Sequence, residues 1–275
     1  MIISKTLNRH ENDGVVYYTF PKLESAGGNL HAFSTRLGGI STGDCASMSF
    51  GFSLGDNRDN VLENYRRFCA AFCVKAENAV LSQQTHTANL RIVTKDDVGK
   101  GIFRERDYTD IDGLVTNETD IVLVTQYADC TPLVFFDPVT KTVATSHAGW
   151  RGTVAEIGKK TVELMSKEFG AKPENILVGI GPNIGVCCYE VDDPVINEIN
   201  KLLYLDFNSC YTSKGNGKYM LDLRETNRQI LLNSGIKTEN IDVADLCTCC
   251  NSDIFHSHRA TGGKRGTLAA MISLK

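Results

Sequence analysis

What most constrains this chain is a series of four apolar, strand-length runs crowded into its middle, at residues 113–116, 121–126, 133–136 and 142–146. Each is rich in Val, Leu, Ile, Phe or Thr and shorter than a helix needs to be. Asp137-Pro138 supplies the turn between the last two. Similar runs recur on either side, at 15–20, 30–34, 79–83, 90–94, 176–180, 241–244 and 268–273. Helical spacing appears between them. Val61, Tyr65, Phe68 and Phe72 fall on one face of a helix over 60–72, and Val154, Gly158, Val162, Met165 and Phe169 form one stripe over 153–169. Residues 193–203 and 223–233 are further expected helices. Many strands with interspersed helices and few strict βαβ units predict an α/β fold of the mixed α+β kind, layered, with mixed β-sheets.

The chain has no Pro- or Ser-rich linker and no repeat of fixed period, so one domain over 1–275 is expected. Its formal net charge is −4, with 29 basic and 33 acidic residues spread along the chain. No basic run suited to a phosphate backbone is present, which argues against nucleic acid and anionic membrane as partners. The stretch MIISKTLNRHENDG lacks the apolar core of a secretion signal, and no segment approaches the roughly 20 apolar residues of a membrane span. A cytoplasmic location is the expectation. On that reading most of the ten cysteines are reduced thiols, with Cys69 and Cys73 on the buried face of a helix.

The six histidines narrow the search for chemistry. His10 lies in a polar stretch, and His31 reads as a half-buried structural residue at the entry to a strand. His86 sits in SQQTHTANL, Cys130 in YADCTPLVFFDP and His147 in VATSHAGWRGT. Each falls where a β-like run ends, a position that a sheet holds rigidly yet leaves facing the loops. Two imidazoles and a thiolate are zinc-type ligands, and three protein ligands leave a fourth tetrahedral position free, as catalytic sites require. Spacing alone does not join them, because separations of 44 and 17 residues follow no local rule.

CTCCNSDIFHSHR offers a competing cluster, with Cys247 and Cys250 at C-x-x-C spacing. The H-x-H spacing of His256 and His258 is short for a structural zinc site. The favoured reading is packed thiols, no second metal, a strand over 254–258 that puts both histidines on one face, and His258-Arg259 lining a pocket. In SHAGWRGTVAEI, Gly149 and Gly152 flank Trp150-Arg151 where a helix begins, a place for an anion. Arg151 adds a cationic fork suited to phosphate. Arg36, in the Gly-containing turn STRLGGIS, is a further candidate.

Taken together, AFSTRLGGIS, QQTHTANL, DIDGLVTN, ADCTPLVFFDP, SHAGWRGT, GIGPNIGVCCYEV and CTCCNSDIFHSHRATGGKRGT resemble the bacterial YfiH/YlmD-type family, also called the laccase-domain or polyphenol-oxidase-like family. The resemblance runs from about Leu30 to the end. It implies a single α/β domain of layered mixed sheets, similar to cytotoxic-necrotising-factor catalytic domains. It also implies a zinc-dependent purine nucleoside enzyme that phosphorolyses adenosine, inosine and methylthioadenosine and deaminates adenosine. The family's ligands fall on His86, Cys130 and His147. The sequence departs from the family pattern at Thr87, where glycine is frequent, and at His256.

The implied chemistry needs a general acid or base, for which Asp129 is the candidate; the same carboxylate could instead orient a ligand. Arg36, Arg151 and Arg259, with His258, are the expected holders of phosphate and nucleoside. Two other readings stand beside this one. A copper-dependent polyphenol oxidase would use the same ligand types, although six histidines are too few for four copper ions. A Cys-His hydrolase would use Cys130 as nucleophile and His147 as base.

Overall fold

The computed structural model describes residues 4–275 and gathers the apolar runs into two six-stranded sheets with a shared core. β1 (Asn8–Asn12) and β2 (Val15–Thr19) form an antiparallel hairpin, turned at Asp13-Gly14 with both residues at positive φ. The short α1 (Pro21–Ala26) leads into β3 (Asn29–Ser34). A long excursion then carries α2 (Arg58–Ala71), which is started by the Asn57 side chain accepting the Asp59 N–H at 2.8 Å. Then come β4 (Ala79–Leu81), β5 (Leu90–Ile92), β6 (Gly113–Thr116), β7 (Val122–Tyr127), β8 (Thr131–Asp137) and β9 (Thr142–Ala148). α3 (Trp150–Val154) and α4 (Ile157–Phe169) follow, then β10 (Leu177–Ile180). The remainder comprises β11 (Glu190–Asp192), α5 (Asp193–Ile199), α6 (Phe207–Cys210), β12 (Tyr211–Gly215), β13 (Lys218–Leu221), α7 (Leu223–Asn233), β14 (Ile241–Val243), α8 (His258–Thr261) and β15 (Leu268–Leu274).

The first sheet has the order β1-β2-β3-β15-β7-β4 and the second β14-β10-β8-β9-β6-β5. Both are mixed: β4–β7, β5–β6 and β10–β14 pair in parallel and the other neighbours antiparallel. Phe33, Leu123, Tyr127 and Ile272 of the first sheet meet Val134, Phe136 and Val143 of the second in a common core. The expected face of α2 packs Val61, Tyr65, Phe68 and Phe72 on the far side of the first sheet. Val162 and Met165 of α4, with Leu231 of α7, cover the far side of the second. The result is helix, sheet, sheet, helix. Coverage on both faces explains why β8, β9 and β15 are buried along their whole length.

Two sequence expectations fail. Residues 153–169 are not one helix: Glu156 takes positive φ (56°), which ends α3 and lets α4 start in a new direction. Residues 254–258 are not a strand. The Ser257 side chain accepts the Ala260 N–H at 3.1 Å and caps α8, so the chain turns there. His256 and His258 therefore do not share a face. His256 is buried, within 3.1 Å of the Met48 carbonyl and accepting the Gly266 N–H, whereas His258 is exposed. The small sheet β11-β13-β12 went unseen because its strands are short and mostly polar. Among the described residues no helix is long and apolar enough to cross a membrane.

Candidate metal centre

β8 and β9 pair Thr131 with Ala148 and Pro132 with His147. Cys130 immediately precedes β8, so this register alone sets Cys130 beside the end of β9. His86 arrives by another route, on the loop that leaves β4 in the first sheet and enters β5 in the second. That loop is fixed to the first sheet by Gln84, whose amide donates to the Gln126 carbonyl at 2.7 Å and accepts the Gln126 N–H at 2.7 Å. The three side chains thus meet at the seam between the sheets. Cys130 Sγ lies 3.9 Å from His86 Nε2, and one ligand atom from each of the three residues lies within 4.8 Å of the others. Tetrahedral coordination with bonds near 2.0–2.3 Å needs ligand atoms about 3.5 Å apart, so small side-chain adjustments close the set on an ion. Gly149 is demanded by this crowding: a Cβ there would stand 3.0 Å from Cys130 Sγ and 3.1 Å from His86 Cδ2.

The organising residue is one that the sequence reading passed over. Asp112 is fully buried at the head of β6, and its carboxylate accepts five hydrogen bonds. The successive N–H groups of Thr85, His86 and Thr87 donate to it at 2.9, 3.1 and 3.0 Å, and the Thr87 hydroxyl at 3.1 Å. This nest of amides holds His86 at a φ of 67°, a conformation that a non-glycine residue adopts only under such constraint. The fifth donor is His147 Nδ1 at 2.7 Å. With its Nδ1 proton committed to Asp112, a neutral His147 has an unprotonated Nε2, the form a metal requires. Burial disfavours the Asp112 carboxylate, but His147 and the Thr85 and Thr87 amides outweigh it and hold the pKa below the ordinary carboxylate value. The signal in the sequence was DIDG, an acidic residue set directly before a wholly apolar strand.

Without a metal, Cys130 and His147 polarise each other. Burial opposes the thiolate, yet His147 and then His86 bring the thiol down to about 6. Burial likewise opposes the imidazolium, and Cys130 with Asp112 brings His147 up to about 9. The thiolate is available at neutral pH, which is what a metal ligand needs. The donor set therefore suits a zinc-type ion by its chemistry, and binding would release the proton from His147 Nε2.

The Asp129 carboxylate bonds none of the three ligand side chains and acts on the backbone beside Cys130 instead. It accepts the Thr248 hydroxyl at 2.6 Å and the Arg259 N–H at 2.7 Å. Arg36 is directed elsewhere too: its guanidinium donates to the carbonyls of Ala46 (2.7 and 2.5 Å) and Ser252 (3.0 Å) and stays outside the cleft over the triad. Arg151 is exposed, with its guanidinium 4.2 Å from the Trp150 ring. Arg259 donates to the carbonyls of Cys188 and Glu190 at 3.1 Å each and lies 5.6 Å from the Tyr189 ring. Arg259 is thereby tied both to Asp129, the residue before Cys130, and to the 188–190 segment. His258 is exposed beside Gly263.

A cleft of about 410 Å³ has all three ligands in its wall. Arg106, Arg265, Gln83 and Thr267 also line it, and none of them was singled out from sequence. Gln83 Oε1, Arg265 Nε and Thr267 Oγ1 are buried with no hydrogen-bond partner among the described residues. A pocket whose polar atoms lack protein partners is prepared for a polar ligand.

The cysteine-rich tail also differs from expectation. Cys247 is buried, but Cys250 and Cys187 are exposed, and the adjacent pair Cys187 and Cys188 comes to the side of Cys247 and Cys250.

The sequence pattern described as multi-copper polyphenol oxidoreductase laccase matches residues 30–275. The chain is 37% identical to the purine nucleoside phosphorylase YlmD of Bacillus subtilis, over 90% of this chain and 88% of that protein. It is 31% identical to adenosine deaminase RL5 from an unknown prokaryotic organism, over 86% of this chain and 91% of that one. The crystal structure of the Bacillus licheniformis hypothetical protein YfiH superposes with a TM-score of 0.92 at 32% identity, covering 98% of this chain and 100% of the other.

Proposed function

Because the chain belongs to the multi-copper polyphenol oxidoreductase laccase family, in its YfiH/YlmD branch, we propose that it is a zinc-dependent purine nucleoside enzyme, phosphorolysing adenosine, inosine and methylthioadenosine and deaminating adenosine. The observation that carries this reading is the triad of His86, Cys130 and His147 in the wall of a cleft with unpartnered polar groups. Its volume lies within the range of about 300–1,000 Å³ usual for small-molecule sites. Bound by the triad, a zinc ion would supply Lewis acidity that makes water a nucleophile near neutral pH.

The chain's own groups do the remaining work. Asp112 keeps the proton on His147 Nδ1. Arg265 and Arg106 bring guanidinium groups into the cleft, where a phosphate or a leaving purine needs positive charge. Gln83 and Thr267 line the same cleft, and their unpartnered oxygens would serve the nucleoside once the side chains turn toward it. Arg151, Arg259 and His258 would serve the substrate from outside the lining of that cleft, with Arg259 held in place through Asp129.

The test is product analysis of adenosine turnover with and without inorganic phosphate. Adenine with ribose-1-phosphate is expected only with phosphate, and inosine in both cases. Both products should disappear with Cys130→Ala and on stripping the metal. Failure to convert any purine nucleoside with a full metal complement would defeat the proposal.

One observation favours a second reading. The thiolate of Cys130 beside the imidazolium of His147 is the resting state of a Cys-His hydrolase. Such an enzyme would keep full activity after metal removal. The copper reading rests on the same three ligands, and elemental analysis of protein purified without added metal separates it from zinc.

A further inference from the structure

Four thiols outside the catalytic centre converge from two loops. Cys187 and Cys188 lie on the loop that follows β10, and Cys247 and Cys250 on the loop that follows β14. β10 and β14 are parallel neighbours, so both loops leave the same edge of the second sheet. They stay together: Asn183 bridges to Cys247, and the Thr248 N–H donates to the Asn183 carbonyl at 2.9 Å.

We propose that Cys187, Cys188, Cys247 and Cys250 bind a second, structural metal ion of the zinc type as a closed four-thiolate site. Three observations carry the proposal, and none depends on what the catalytic centre does. First, the four Sγ atoms all lie within 4.8 Å of one another, with Cys250 Sγ 3.4 Å from Cys187 Sγ and 3.3 Å from Cys188 Sγ. A tetrahedron of sulfurs about 2.3 Å from zinc has edges of about 3.8 Å; the two Cys250 contacts are slightly shorter and every pair lies within 4.8 Å, so small side-chain rotations reach it. The near-equal separation of Cys250 from two partners fits a shared central ion, whereas a single S–S bond would select one of them. Second, Cys247 Sγ accepts the N–H of Gly185 at 3.1 Å and that of Cys250 at 3.5 Å. The amide of the second cysteine of a C-x-x-C pair, turned back onto the first sulfur, stabilises a thiolate ligand. Gly185 allows that approach, since a Cβ there would stand 3.1 Å from Cys247 Cβ and 3.3 Å from Cys187 Sγ. Third, two guanidinium groups border the cluster. Arg224 Nη2 is 2.9 Å from where a Gly185 Cβ would be, and Arg259 donates to the Cys188 carbonyl at 3.1 Å. Four thiolates on a divalent ion carry a net charge of −2, and these cations offset it.

Sequence spacing does not show the site, because its two halves are about sixty residues apart and two histidines stand near the C-x-x-C pair. His256 is buried against Met48 and Gly266, and His258 belongs to α8. Neither is needed when all four ligands are sulfur. Cys249 has no place in the set.

The experiment is metal analysis of the whole protein, purified under reducing conditions, loaded with zinc and dialysed. Wild type is expected to retain two equivalents. Cys130→Ala should retain one, Cys187→Ser with Cys250→Ser one, and the triple variant none. Cys187 and Cys250 are chosen because both are exposed, so their replacement does not empty the core. Cobalt loading gives an independent readout: the Cys130→Ala protein should keep intense sulfur-to-metal charge-transfer absorption, and the Cys187→Ser, Cys250→Ser protein should lose most of it. A single equivalent in wild type that vanishes with Cys130→Ala overturns the proposal. So does a mass 2 Da below that of the reduced chain after purification without reductant and with no second metal, which would assign the cluster to a disulfide. Loss of nucleoside turnover with two metals retained would refute the functional reading and leave the four-thiolate site standing.

Discussion

Replacing Asp112 with Asn tests whether one buried carboxylate sets both the geometry and the protonation of the candidate metal centre. The aspartate divides five donors between two oxygens: Thr85 N, Thr87 N and the Thr87 hydroxyl on Oδ2, His86 N and His147 Nδ1 on Oδ1. An asparagine retains one oxygen. The better placement puts it among the three donors at the Oδ2 position and turns its NH2 toward His86 N–H and His147 Nδ1. His147 answers by changing tautomer, so that Nδ1 accepts and Nε2 carries the proton. The nitrogen that faces the metal is then blocked. Altered support of a metal-binding histidine costs about 10–100-fold in affinity, and this variant should fall at the upper end. The His86 N–H is left without its acceptor, and because that bond is only part-buried the loss should be about 1 kcal/mol. Competition with a chromogenic chelator measures the first effect, and urea unfolding in excess EDTA the second, free of any contribution from bound metal. A variant that holds zinc within about twofold of wild type, unfolding at the same urea concentration, would refute the tautomer argument.

Other perturbations give equally definite outcomes. Gly149→Ala should fold, because its backbone (φ −65°, ψ 171°) suits any residue, but its Cβ presses on Cys130 and His86 and should weaken metal binding about tenfold in the same chelator assay. Arg265→Ala removes a guanidinium from the cleft and should lower phosphorolysis about 10–100-fold, as expected for a charged hydrogen bond, while sparing deamination; equal loss of both would assign Arg265 to the nucleoside. Arg151→Ala should also lower phosphorolysis more than deamination, though by less, because Arg151 is exposed against Trp150. His31 is buried and neutral, accepting the Phe20 N–H on Nε2 at 2.8 Å, with Nδ1 2.8 Å from Asn29 Oδ1; burial lowers its pKa to about 4. Between pH 6.5 and 4 the unfolded chain takes up a proton that the folded one refuses, so stability is lost as pH falls through that window, by about 3 kcal/mol in all. Urea midpoints of His31→Gln should show a flatter profile over that range, and parallel profiles would contradict the assignment.

The sequence made the scaffold legible where a single period was at work. The apolar runs of both sheets and the face of α2 fell within a residue or two of the observed elements, because burial on one or both sides leaves a strict pattern. The pattern failed where a local backbone event overrode it. Glu156 at positive φ divides a helix whose stripe is continuous, and the Ser257 cap turns a β-like run into α8. The triad was legible by ligand type but not by spacing, since strand register and a crossing loop bring its members together. Arg36 shows the reverse: it is the right kind of residue in the right segment, yet its guanidinium is committed to Ala46 and Ser252. The Asp129 carboxylate is committed to Thr248 and Arg259, a pairing that no spacing rule reveals. Arg106 sits in the charged stretch FRERD and Arg265 near the end of CTCCNSDIFHSHRATGGKRGT, and only the fold brings them to the cleft.

Two buried carboxylates give this architecture its logic. Asp112 stands at the head of β6 and gathers the loop that carries His86 together with the end of β9. Asp129 stands one residue before Cys130, itself at a φ of 87°. It ties that ligand outward, accepting Thr248 and Arg259 through its side chain and the Ile184 N–H through its carbonyl at 2.9 Å. Ile184 and Thr248 belong to the same two loops that carry the four clustered thiols, and Arg259 reaches back to the Cys188 carbonyl. The support of Cys130 therefore passes through one carboxylate into the cysteine cluster, while that of His86 and His147 passes through the other into the sheets. A metal in the four-thiolate site would fix the outer half of this arrangement, joining the exposed Cys187 and Cys250 to the buried Cys247. In the Cys187→Ser, Cys250→Ser protein, the consequence should appear at Arg259 and Asp129 before it appears in the core. Hydrogen exchange should quicken at residues 184–189 and 247–251 and at the Arg259 amide, while β8 and β9 keep their protection. Exchange that quickens equally throughout β8 and β9 would mean that the two carboxylates do not divide the centre in this way.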